Sequence, residues 1–278
     1  MKLFYLLALG SLIAFLCNNP VTRESTIDLA VPIPERMGGL NFVAPPRAFD
    51  RNPMPAVKDI HANWIAVIPY AYSPIGKPIV VYNPQKWQQW WGERPEGVRE
   101  TITLAQAANI KIMLKPQVYV PGSWPGGLTF DTAEEWEQWE KAYEAYLMPF
   151  VEMADSFKVD LFCIGTEFKI SVQKRPAFWR QLIQKVRKVY KGPLVYAANW
   201  DEYPLVPFWE ELDYVGVDAY FPLVKGPTPK VKSLQKAWEP IVKKLRSFHK
   251  KTKKPILFTE YGYLSVDGCA HNTWELEA

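Results

Sequence analysis

Two glutamates each follow closely behind an apolar run. Glu167 ends Ile164-Gly165-Thr166-Glu167, and Glu260 follows Pro255–Phe258 in Thr259-Glu260-Tyr261. Two carboxyls brought to either side of one bond can hydrolyse a glycoside: one protonates the departing oxygen while the other meets the cationic carbon with negative charge. A lone glutamate at a strand end is ordinarily a solvated or ion-paired residue. Two of them, both among aromatics, shift the balance toward chemistry. Further polar and aromatic groups recur at equivalent places: Lys115-Pro116-Gln117, Asn199-Trp200-Asp201 and Asp218-Ala219-Tyr220.

The elements that must carry these groups are short apolar runs separated by helical patterns. The runs are Leu40–Val43, Trp64–Ile68, Ile110–Leu114, Asp160–Ile164, Leu194–Ala197, Tyr214–Val217 and Pro255–Phe258. They lack strict alternation, as strands covered on both faces do. Between them, Thr132-x-x-Glu135 is a capping box. It opens a helix whose apolar positions include Trp136, Trp139, Tyr143, Leu147 and Phe150, and Pro149 is expected to kink or end it. Pro176 and Gly192 bracket a second helix, and Leu234 to Phe248 form a third amphipathic face. Strand–helix alternation predicts an α/β fold with parallel strands and right-handed crossovers. A doubly wound sheet would want a glycine-rich phosphate loop, which the sequence lacks. Functional residues at the C-terminal ends of many strands instead fit a (β/α)8 TIM barrel, in which Glu167 and Glu260 face each other across the mouth.

Composition narrows the partners. Lys and Arg number 33 against 29 Asp and Glu, a net charge of +4. That is too mild to imply a nucleic-acid or anionic-membrane surface. No specific protein partner is implied. Three cysteines and three histidines make neither a disulfide framework nor a His-rich metal centre, and no cofactor is needed. Twelve tryptophans and 14 tyrosines suit a protein that handles a polysaccharide or oligosaccharide, although most belong in a core.

Several longer segments resemble glycoside hydrolase family 113. They are Ile164–Glu167, Arg175-Pro176-x-x-Trp179-Arg180-x-Leu182-Ile183, Tyr196-Ala197-Ala198-Asn199-Trp200, Leu212–Pro222 and Thr259-Glu260-Tyr261-Gly262-Tyr263. The likeness runs from about Leu40 to the end and is strongest from Asp160 to Tyr263. It implies a clan A (β/α)8 barrel, endo-β-1,4-mannanase-like activity and a retaining mechanism, with Glu167 as acid/base and Glu260 as nucleophile. Thr166 stands where many clan A enzymes have Asn, as in the family. On this reading Tyr220 orients the ionised Glu260, and Glu260's charge helps keep Glu167 protonated.

Among the remaining aromatics, Trp87, Trp90 and Trp91 are spaced like one helix face and read as core. Trp124 lies in the rim loop Pro121–Gly127, and Trp200 follows a strand; both are expected to be sugar platforms. Asn199, Lys115, Asp218 and Tyr261 complete the expected substrate-binding set. A non-catalytic carbohydrate-binding barrel and a β-glucan-cleaving hydrolase are the alternatives to a mannan-cleaving enzyme.

The chain divides into residues 1–17, 18–36 and 37–278. Met1-Lys2 and the apolar stretch to Cys17 form a signal peptide, too short for a bilayer core of roughly 30 Å. The protein is therefore expected outside the cytoplasm, whether secreted, periplasmic or tethered as a lipoprotein through Cys17. Residues 18–36 are a linker or arm, and 37–278 the barrel. Beyond Phe258 no second apolar strand run follows. The barrel is thus expected to be incomplete, with seven strands, and the chain alone poorly soluble or inactive.

Overall fold

The computed structural model describes residues 36–83, 89–271 and 273. The segments 1–17 and 18–35, and Trp87, lie outside them. One compact unit runs from Met37 to Ala278. Among the described residues, no helix is long and apolar enough to cross a membrane.

Seven parallel strands form the main sheet: β1 (Gly39–Phe42), β2 (Trp64–Val67), β4 (Lys111–Leu114), β6 (Leu161–Thr166), β7 (Leu194–Asn199), β8 (Tyr214–Asp218) and β9 (Ile256–Glu260). They are hydrogen-bonded in chain order and curl into a nearly closed barrel, with β1 and β9 as its edges among the described residues. These are the seven apolar runs of the sequence. Two three-residue strands, β3 (Tyr70–Tyr72) and β5 (Gln117–Tyr119), pair with each other above β2 and β4.

The helices are α1 (Met54–Asp59), α2 (Pro95–Ala107), α3 (Ala133–Ser156), α4 (Lys169–Lys174), α5 (Pro176–Val189) and α6 (Val231–Thr252). The Thr132 hydroxyl accepts the Glu135 N–H while the Glu135 carboxylate accepts the Thr132 N–H, closing the capping box that starts α3. α3 does not end at Pro149 but continues to Ser156. Leu147, Phe150, Val151 and Ala154, all at most 1% exposed, anchor the turns on both sides, so packing outweighs the missing hydrogen bond.

Strand side chains alternate between two cores. Trp64, Ala66, Met113, Leu161, Cys163, Val195 and Ala197 cluster inside the barrel. Ile65, Val67, Ile112, Leu114, Phe162 and Ile164 face the helices. There Trp139, Tyr143, Phe168 and Trp179 form a continuous ring cluster with centroids 5.1–5.8 Å apart. This aromatic mass backs β6, the strand that delivers Glu167. Trp136, Trp139 and Trp179 are buried as helix-face residues should be. Trp90 is not core: it precedes a short turn rather than lying on a helix, and is 48% exposed.

Candidate active site

Both glutamates are presented by an irregularity in strand pairing. From Cys163 to Thr166, β6 advances three residues while β7 advances two, from Val195 to Ala197. From Phe258 to Glu260, β9 advances two while β8 advances one, from Val217 to Asp218. An extra residue of this kind re-aims the side chains that follow it. Glu167 adopts a left-handed backbone, φ 58°, which is costly for a residue with a side chain. Its N–H still donates to the Ala197 carbonyl at 2.8 Å.

Glu260 is gripped by three donors. Lys115 Nζ donates to Oε1 at 2.5 Å, Gln117 Nε2 to Oε1 at 2.9 Å and Tyr220 Oη to Oε2 at 2.9 Å. Burial alone pushes the Glu260 carboxyl up, but the Lys115 charge and these hydrogen bonds outweigh it and leave the pKa below its ordinary value. Lys115 is completely buried. Burial favours loss of its proton, yet Asp218 and Glu260 more than compensate and hold it charged.

Glu167 is in the opposite condition. Burial, then the nearby Glu260 charge, raises it to about 7, against the opposing hydrogen bond from Trp124. The Trp124 indole N–H donates to Glu167 Oε2, and its ring lies against Gly126, where a Cβ would collide with it. Lys169 Nζ stands 6.0 Å from that ring and pairs with Asp201 at 2.5 Å.

The structure gives Lys115 and Asp218 a different place from the one expected. Both are 0% exposed, so neither reaches a sugar hydroxyl. Asp218 Oδ1 accepts from Thr259 Oγ1 at 2.7 Å and lies 3.5 Å from Lys115 Nζ. Both residues therefore serve the floor beneath Glu260. Asn199 and Trp200 end β7 at the rim, half-buried, with Asn199 Oδ1 accepting the Trp200 N–H at 2.8 Å. Tyr261, 58% exposed, stacks at 6.1 Å on Phe258 and packs near Trp238, which places it in the aromatic cluster between β9 and α6.

Sequence reasoning passed over a group behind Glu167. The Phe168 N–H donates to Tyr196 Oη at 2.7 Å, and that hydroxyl donates to Glu202 Oε1 at 2.6 Å. Glu202 Oε2 accepts the Asn199 N–H at 3.0 Å. Glu202 is fully buried, and burial raises it to about 7 against these hydrogen bonds. Gln117 was also missed as a Glu260 partner; its place two residues after Lys115 at a strand end was the available signal. Among the described residues, no three His, Cys, Asp or Glu converge as metal ligands.

A carboxyl favoured in its ionised form and one able to hold its proton near neutrality thus lie close enough to act on each other electrostatically. That division of charge suits attack by one and protonation by the other.

Comparison with known proteins bears on the fold and the family. No curated protein matches the sequence. Among solved structures, a GH113 β-mannanase from Alicyclobacillus acidocaldarius, in complex with ManMIm, superposes with TM-score 0.71 at 24% identity, covering 84% of this chain and 73% of that one. A second GH113 β-1,4-mannanase gives 0.71 at 22%, covering 87% and 78%. A β-glucuronidase from Ruminococcus gnavus in complex with D-glucuronic acid gives 0.54 at 14%, covering 81% and 34%. The family model of Glycoside Hydrolase Family 113 matches residues 49–278. The chain belongs to that family and is a glycoside hydrolase.

Proposed function

We propose that the protein is a retaining hydrolase of β-1,4-mannosidic bonds in mannan-type polysaccharides. The observation that carries the reading is the opposite charge preference of Glu260, held below its ordinary value, and Glu167, raised to about 7. Glu260 attacks the anomeric carbon and forms a covalent glycosyl-enzyme, while Glu167 gives its proton to the departing oxygen. Glu167, now ionised, takes a proton from water as that water attacks the same carbon and releases Glu260. Tyr220, Gln117 and Lys115 hold the attacking carboxylate ionised and aimed. The choice of mannan is supported by the two β-mannanases of the same fold.

The test is release of reducing ends from β-mannan and from β-glucan, repeated with azide on two variants. Glu260→Ala is expected to lose turnover and, with azide, to yield an α-glycosyl azide. Glu167→Ala is expected to act best on substrates with good leaving groups and, with azide, to yield the β product. Near-normal mannan hydrolysis by both variants refutes the assignment, and release from β-glucan alone reassigns the polymer.

An extracytoplasmic location belongs to the same proposal, on the strength of the residue 1–17 segment. The N-terminal sequence of the protein recovered outside the cytoplasm tests it. Recovery only from the cytoplasm with Met1 intact refutes it.

A further inference from the structure

The buried cation beneath the cleft has two carboxyls within reach and uses them unequally. Lys115 Nζ lies 2.5 Å from Glu260 Oε1 and 3.5 Å from Asp218 Oδ1. Glu260 takes two further donors, Gln117 Nε2 and Tyr220 Oη, each at 2.9 Å. Asp218 stands opposite Glu260 in the register of β8 and β9. Its Oδ1 accepts one hydroxyl, from Thr259 at 2.7 Å, and among the described residues nothing hydrogen-bonds its buried Oδ2. A buried carboxyl oxygen without a partner is destabilising, so its presence here calls for a reason.

Charge follows the same division. The Lys115 charge and the three donors hold Glu260 below its ordinary value. Burial pushes the Asp218 carboxyl well above its own; Lys115 opposes the rise, and the like charges of Glu260 and then Glu167 reinforce it. In the resting site Glu260 is thus the main counter-charge of Lys115, and Asp218 is the carboxyl that more readily keeps a proton. The Cys163 thiol also acts on Lys115 electrostatically, but burial pushes it up to about 11, so it supplies no negative charge near neutrality.

Formation of a glycosyl-enzyme upsets this balance. A Glu260 oxygen bonds the anomeric carbon. The glycosidic C–O bond breaks, its electron pair goes to the departing oxygen, and that oxygen takes the Glu167 proton. Negative charge leaves Glu260 and appears on Glu167. The ester still offers Lys115 an oxygen to hydrogen-bond but no charge, and a completely buried cation without a counter-charge is strongly destabilising. We infer that Asp218 is the reserve counter-ion of Lys115: while Glu260 is esterified, Asp218 gives its proton to solvent and pairs with the Lys115 ammonium, until hydrolysis restores the Glu260 carboxylate and the proton returns. The unused Oδ2 is the acceptor that this exchange needs. The charge lost from Glu260 acts on Asp218 more strongly than the one gained by Glu167, so ionisation is favoured at that stage. Asp218 touches no substrate and works through Lys115, as a positioning residue. The inference rests on the proposed role of Glu260 as nucleophile.

Glu260→Gln sets the nucleophile in a neutral form without substrate, so a double-mutant cycle in the full chain reads the exchange directly. Asp218→Asn alone and Glu260→Gln alone each leave Lys115 one carboxylate, and both are expected to fold with modest losses in denaturant unfolding. Together they leave it none. The folding equilibrium constant is then expected to fall by roughly tenfold more than the product of the two single effects. A double variant that fails to fold beside two folded single variants is the same result in extreme form. Additive effects, or a single variant that fails to fold, overturn the inference. A 2-deoxy-2-fluoro-β-mannoside with an activated leaving group gives a second reading. Asp218→Asn is expected to slow covalent trapping by roughly tenfold, the rate equivalent of the same coupling, and to speed release of the trapped sugar, because only the esterified state loses its counter-charge. Slowing of both steps marks a merely structural residue and overturns the inference. Failure of the wild type to form a covalent adduct overturns the nucleophile role of Glu260 and not the pairing, which the cycle decides by itself.

Discussion

Lys115 Nζ lies 2.5 Å from Glu260 Oε1, joining a completely buried cation at the end of β4 to a carboxylate at the end of β9. Removing one partner of such a pair leaves an uncompensated charge and costs about 3–5 kcal/mol. Lys115→Met is therefore expected to destabilise the fold and raise the Glu260 pKa, since the charge that favours ionisation is gone. The acidic limb of the kcat/KM profile should move to higher pH, and kcat should fall by roughly a hundredfold. Denaturant unfolding and a pH profile on an aryl glycoside measure both. An unmoved acidic limb shows that Lys115 does not hold the charge.

Tyr196 links the backbone behind Glu167 to buried Glu202, accepting at 2.7 Å and donating at 2.6 Å through one hydroxyl. Tyr196→Phe keeps the ring in its packing and deletes only that link. The Phe168 N–H is orphaned and Glu202 loses a donor, at a cost of about 1–3 kcal/mol for an unsatisfied buried group. If the hydroxyl steadies the left-handed turn at Glu167, kcat should fall more on substrates that need a proton than on those with activated leaving groups. Equal loss on both classes indicates a purely structural hydroxyl.

Gly165 precedes that turn with no room beside it. A Cβ there would stand 2.8 Å from the Trp179 ring and 3.2 Å from Tyr196. Overpacking of this kind costs about 1–3 kcal/mol. Gly165→Ala is expected to lower Tm and depress kcat together, because the displaced rings support both β6 and the Tyr196 link. A variant with wild-type Tm and activity shows that α5 can yield.

The five strands between the two edges were legible because burial on both faces forces apolar runs such as Trp64–Ile68 and Tyr214–Val217; the edge strands β1 and β9 carry apolar runs too, although they are only partly buried. β3 and β5 were not: three residues apiece, rich in Tyr and Gln, carry too little pattern to separate from loop. The helix does not end at Pro149, because helix propensity is local, whereas Leu147 and Phe150 are fixed by packing from elsewhere in the fold. At the site, residue type and strand-end position picked out Glu167 and Glu260. Depth was invisible. Lys115 and Asp218 read as sugar ligands because sequence records their polarity but not the Glu260 carboxylate above them. Glu202 escaped for a related reason: it lies past a strand end in an ordinary-looking Asp201-Glu202 pair, and only folding brings it beneath Tyr196.

Trp124 donates to Glu167, and this contact bears on the alkaline side of the activity profile. On the proposed roles, turnover needs Glu260 ionised and Glu167 protonated. kcat/KM should therefore be flat from below 4.5, the ordinary carboxylate value, to about 7, and fall tenfold per pH unit above that. The indole N–H favours the ionised form of Glu167, so it opposes the rise caused first by burial and then by Glu260. Trp124→Phe retains an aromatic surface and removes the donor. The ionised form then loses support, the Glu167 pKa rises further, and the alkaline limb should move upward by roughly one pH unit. Glu167→Gln, assayed on a substrate whose leaving group needs no proton, should abolish the limb and so assign it to this carboxyl. A limb that stays in place in Trp124→Phe, or moves to lower pH, shows that the indole acts on the sugar and not on the acid.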